Sequence, residues 1–146
     1  MGKKILGLDI QNHAVAAVIV NSGLRTSRIE SYTFIPFDDP SVEDGGLSAA
    51  LDILTQRLDV GGSVCVVSLP SDRASFRNLQ VPFKQIKKIR QILPFELEPS
   101  LPFPVEEVVI DFHPIRNDAL GEATDLIAAA YETSGMRFYL EQLSAR

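Results

Sequence analysis

Asp9 stands where the apolar run at 4–10 meets a polar turn, Gln11-Asn12-His13. A carboxylate at a strand end can hold Mg²⁺ or an activated water beside a phosphate. The same carboxylate can instead cap a hairpin turn. The two histidines, His13 and His113, have no companion Cys, His or carboxylate at ligand spacing, so no metal site is expected. Ser68 and Ser71 sit in Ser-Leu-Pro-Ser-Asp, without a nucleophile-elbow pattern or a histidine partner, and the segment reads as a turn. Cys65, the single cysteine, lies in Val-Cys-Val-Val with no activating neighbour. It reads as a small buried hydrophobe in a reducing compartment. No glycine-rich phosphate loop of the Walker or dinucleotide type occurs.

A second group of residues could bind a partner. Lys84, Lys87, Lys88 and Arg90 precede Glu96, Glu98, Glu106 and Glu107. Opposite charges on neighbouring turns describe either a solvated helix face or a docking patch. The run from Leu93 to Val108 alternates large apolar groups and prolines with acids. Prolines lower the entropy cost of holding one shape, so this rigid elbow is a candidate for binding a peptide.

The elements that must position these residues follow from hydrophobic period and turn chemistry. Segments 4–10, 14–20 and 24–37 read as strands joined by short polar turns, an antiparallel meander. Leu47, Leu51, Leu54 and Leu58 form one stripe of a helix, which Gly61-Gly62 ends. The run at 63–69 is nearly all apolar and suits a strand buried on both faces. An extended segment at 74–81 is closed by Pro82. A helix from Phe83 follows, with Ile86, Ile89, Leu93 and Leu97 in phase across Pro94, which predicts a kinked helix. Strands are expected at 105–115 and 124–131, with a turn at 117–121 between them. A last helix opens at Thr133, with Met136, Tyr139, Leu140 and Leu143 on its apolar side. A meander followed by α-β alternation gives an α/β fold, a mixed sheet flanked by helices.

The chain has 146 residues and a net charge of −5. The length suits one domain, or one domain with a small satellite. The acidic balance argues against nucleic-acid binding through phosphates and against a polybasic hold on anionic lipid. No run reaches the roughly 18 apolar residues of a spanning helix, and no signal peptide is evident, so a cytoplasmic location is expected.

Ile5-Leu6-Gly7-Leu8-Asp9-Ile10, running into a meander, resembles the opening of actin-like ATPase-fold proteins. The run from Lys87 through Leu101-Pro102-Phe103-Pro104-Val105-Glu106-Glu107-Val108-Val109-Ile110-Asp111-Phe112 resembles the type IV pilus assembly protein PilM and the cytoplasmic part of the type II secretion protein GspL. The resemblance implies a ribonuclease-H-like (actin-like) first-lobe subdomain over 1–81 plus 118–146. It also implies a small inserted α/β subdomain over 82–117 and a second lobe beginning after 146. Its first phosphate motif is Asp-x-Gly-(Ser/Thr). Asp9 matches the Asp, but Gln11 stands in place of the Gly and Asn12 in place of the hydroxyl residue. A Cβ at position 11 would crowd a phosphate, so Asp9, Gln11 and Asn12 form a degenerate phosphate motif.

The resemblance implies a scaffold or adaptor at the inner-membrane face that recruits a secretion or pilus ATPase and platform proteins. No cofactor is expected in this chain, with ATP and Mg²⁺ reserved for a full-length protein, and no enzyme activity is expected. The alternative is an ATP-dependent switch of the PilM kind. The implied partner groove lies near the helix at 83–98 and the elbow at 99–104, with Lys84, Lys87, Lys88, Phe95, Leu101 and Phe103 as its binding residues. A free-standing enzyme of ribonuclease-H-like fold would need several carboxylates converging at strand ends, and only Asp9 offers itself.

Overall fold

The computed structural model describes residues 2–117 and 121–146, and the side chain of Asn117 is also outside the description. The turn expected at 117–121 therefore falls largely outside the described residues. The chain divides into two compact units, Met1–Pro70 with Gln142–Arg146, and Ser71–Glu141.

The first unit carries β1 (Lys3–Ile10), β2 (Ala14–Ser22), β3 (Ser27–Pro36), α1 (Leu47–Arg57) and β4 (Val64–Ser68) in a sheet of order β3-β2-β1-β4. β1, β2 and β3 are antiparallel neighbours, the expected meander, and β4 runs parallel to β1. The third strand is shorter than the expected 24–37, because Gly23 N–H donates to Thr26 carbonyl (2.9 Å) and closes a turn there. Strand alternation sends Leu6, Leu8 and Ile10 of β1 and Val15, Ala17 and Ile19 of β2 into the core. Leu47, Leu51 and Leu54 of α1, with Leu58 just beyond, are buried as the stripe predicts, and α1 packs on β2 and β3. Each such leucine contributes roughly 1.5–3 kcal/mol by burial. Asp44 supplies the helix start: its carboxylate accepts the N–H groups of Gly46 and Ser48, both at 2.9 Å. Gly46, at φ 104°, takes a backbone shape that a side chain would strain.

β4 departs from expectation. Its run Val-Cys-Val-Val-Ser is mostly exposed, with Val66 60% accessible, and Cys65 is exposed rather than buried. The physical reason is position. β4 is an edge strand with one neighbour, and α1 lies over β2 and β3.

The second unit holds β5 (Ala74–Val81), α2 (Ile86–Leu97), β6 (Val108–Asn117), β7 (Thr124–Glu132) and most of α3 (Thr133–Ser144). Its sheet has the order β5-β7-β6, with both pairings antiparallel. Strand pairing places β7 between β5 and β6, and the compact unit spans Ser71–Glu141. α2 continues through Pro94 as one helix and buries Ile89, Leu93 and Leu97 against Val81, Leu126 and Ala128. Ile86, its first residue, is 56% exposed and falls outside that stripe. Residues 105–107 form a single 3₁₀ turn rather than the start of β6. In α3 only Tyr139 of the expected stripe is fully buried, and Leu140 is exposed. The buried Thr124 of β7 donates its hydroxyl to the Phe83 carbonyl (2.6 Å), tying the lead-in of α2 to the sheet.

Candidate functional site

Two places gather the residues singled out in the sequence. The first is the end of β1. The β1–β4 register sets Asp9 opposite Ser68, and the β1–β2 turn returns Gln11 toward it. Ser68 Oγ donates to Asp9 Oδ1 at 2.6 Å, and Gln11 Nε2 donates to Oδ2 at 2.8 Å. The Ser68 hydrogen bond, then that of Gln11, holds the Asp9 carboxyl below its usual pKa, against a smaller opposing effect of burial. Asn12 is exposed in the turn. Beside them an open concavity of about 400 Å³ is lined by Gly7, Asp9, Ala16, Val18, Val66 and Ser68.

The residues here do not fit a metal–phosphate cradle. Each carboxylate oxygen already accepts a neutral donor, and the donor on Oδ2 is the side chain that replaces the motif's glycine. Among the described residues no group of three His, Cys, Asp or Glu side chains could hold a metal. What the arrangement does is local: Asp9 joins the hairpin turn to the neighbouring strand. Ser68, which the sequence offered only as part of a turn, is the partner that reasoning missed. Only the parallel pairing of β1 with β4 brings the two together.

A pH dependence follows. Asp9 has a folded pKa below its unfolded value, near 3.9. Its hydrogen bonds therefore stabilise the fold above that value and are lost as pH falls through the folded pKa. The stability gap between the native chain and Asp9→Asn is expected to be constant from neutral pH down to about 4. It should close below that, in urea titrations followed by circular dichroism. A gap independent of pH would show that the charged carboxylate is not what Ser68 and Gln11 recognise.

The second place surrounds α2. Lys84, Lys87 and Lys88 are all exposed at its start, and Lys88 Nζ lies 5.7 Å from the centre of the Phe83 ring. Pro82, Phe83, Lys84, Gln85, Lys88 and Glu122 line a concavity of about 210 Å³ there. Lys88 and Phe95 lie seven residues apart, two helical turns, so they share a face. Phe95 is 73% exposed, and Phe103 is also accessible. Leu101 is half-buried and packs against the core of the second unit. The charges of α2 run against its own dipole. The first turn has lysines and no acid, the last turn has no base, and Glu96 and Glu98 stand near its end. Each misplaced charge forgoes about 0.3–1 kcal/mol that the reverse order would supply.

Two sheets and three helices among the described residues define a mixed α/β protein of two compact units. That fold is similar to a solved structure, the cytoplasmic domain of EpsL, an inner membrane component of the type II secretion system of Vibrio cholerae. The TM-score is 0.67 at 15% identity, over 98% of this chain and 53% of that one, so this chain spans about half the length of that structure. No family model and no curated protein matches the sequence. Among the described residues no helix is long and apolar enough to cross a membrane.

Proposed function

We propose that this chain is a GspL-like cytoplasmic adaptor of a type II secretion or type IV pilus platform at the inner-membrane face. It would act by holding protein partners, the assembly ATPase and platform proteins among them, and not by catalysis. The observation that carries the reading is the fold likeness to the EpsL cytoplasmic domain over nearly the whole of this chain. The charge order of α2 supports it, because lysines kept at a helix start against the dipole serve something other than the helix. In this reading Lys84, Lys87, Lys88, Phe95 and Phe103 meet the partner, and Leu101 supports the surface from the core side. The state of Asp9, engaged on both oxygens by Ser68 and Gln11, favours the adaptor over a nucleotide-dependent switch.

The test is genetic. Deleting the gene from its host should abolish either export of secreted proteins or assembly of pili, and the native gene on a plasmid should restore it. The Asp9→Asn gene should restore it equally well. A deletion strain with normal export and normal pili would contradict the adaptor reading. Failure of Asp9→Asn alone, with the variant present and folded at the native level, would favour the nucleotide switch.

A further inference from the structure

The outer edge of β6 and the flank of α2 beside it form a third surface, on the second unit. Phe112 lies opposite Ala128 of β7, yet its N–H donates to Asp111 Oδ1 at 2.9 Å. Along an antiparallel pair, backbone groups alternate between pointing at the partner and away from it. Val108 and Ile110 share the phase of Phe112, so their N–H and C=O groups also point outward. Among the described residues no strand pairs with that side. Beyond Phe112 the edge is closed: Asp111 takes the Phe112 donor, and Pro114 has none. The open stretch is thus the first part of β6.

α2 covers Val81 of β5 and Leu126 and Ala128 of β7, and β6 projects past it with Val108, Ile110 and Phe112 only half-buried. Beneath this overhang is an apolar groove of about 460 Å³ walled by Leu93, Pro94, Val105 and Ile110. Pro94 has no N–H, so the helix cannot give the Arg90 carbonyl its usual donor. The charges at the groove differ along its length. Glu106 lies in the turn that leads into Val108. Arg90 lies beside Phe112, its guanidinium 5.1 Å from the ring centre and 3.3 Å from Asp111 Oδ1.

We propose that this groove and the open start of β6 take up a short extended peptide, about seven residues long from Glu106 to Phe112, as an added antiparallel strand. An apolar side chain enters the groove, an acidic residue lies at Arg90, and a basic one lies at Glu106. Backbone pairing supplies the hold and the two charges fix the direction. Arg90 and Lys88 are two residues apart, about 200° around the helix, so this site uses the opposite flank of α2 from Lys88. It does not depend on the adaptor reading.

The probe is a fluorescein-labelled peptide, Glu-Ser-Val-Thr-Val-Ser-Lys, with its ends blocked. A second peptide has the terminal Glu and Lys exchanged, and a third is the first with N-methyl valines. Fluorescence anisotropy should show the first binding about fivefold tighter than the exchanged and the N-methylated peptides. In the Arg90→Glu, Glu106→Lys double variant the order of the first two should reverse. Glu106→Lys alone, away from Asp111, should narrow the difference between them and keeps the test open if the double variant does not fold. The amide resonances of Val108 and Ile110 should shift on binding. No binding at about 1 mM peptide, or affinity indifferent to charge order and N-methylation, would overturn the proposal. So would a dimer that shields the Val108 and Ile110 amides from exchange, because a second copy would then own the edge.

Discussion

Leu93→Ala is expected to destabilise the Ser71–Glu141 unit by about 2–5 kcal/mol. Leu93 is 1% exposed and sits between Ile89 and Leu97 in the cluster with Val81, Leu126 and Ala128. Such a change removes the transfer energy of the side chain and leaves a cavity, whose cost depends on whether neighbours can close it. Here they have little reach. The central strand β7 presents Ala128 and Ala130 toward the core, and neither has a side chain that can swing inward. The Pro94 ring, next along α2, is rigid. The expected cost therefore lies in the upper half of that range. Small domains hold only about 5–15 kcal/mol in total, so hydrogen-exchange protection of the β7 amides should fall by at least tenfold for each 1.4 kcal/mol lost. Unchanged protection would mean that α2 does not seal this core.

The meander, α1 with its leucine stripe, the helix through Pro94 and the strands on either side of 117–121 were all legible, because each rests on a local period or a turn residue. The assignment of strands to sheets was not. β5 and β7 carry the same alternation whichever sheet they join, and only long-range pairing sets β7 between β5 and β6. Cys65 misled for a related reason. An all-apolar run says that a strand can be covered on both faces, not that it is, and β4 lies at an edge. At the candidate sites, Asp9 and Gln11 were found from their motif spacing, whereas Ser68 needed the parallel register to be seen as their partner. The exposed lysines were legible from charge alone. Arg90 could not be separated from them in sequence, although it lies across the helix from Lys88 and sits beside the Phe112 ring.

Charge reversal at the start of α2 should move stability and binding in opposite directions. Lys88 is in the first turn of α2, where a negative charge is favoured by the dipole, so Lys84→Glu, Lys88→Glu should leave the fold equally or more stable, by up to about 1 kcal/mol. Both side chains are exposed, and the contact of Lys88 with the Phe83 ring offsets only part of that gain. If the lysines serve a partner, the same variant loses attraction and gains repulsion, and capture should fall by at least about tenfold. The direct measurement is affinity capture from detergent-solubilised host cells with the native chain and the variant side by side. Co-captured proteins are quantified by mass spectrometry, and the melting temperature of each bait is checked first. The adaptor account predicts that the native chain enriches an assembly ATPase or an inner-membrane platform protein, and that the equally stable variant loses most of it. Capture of such a protein unchanged by the reversal, or no secretion or pilus component captured by the native chain, would contradict the account.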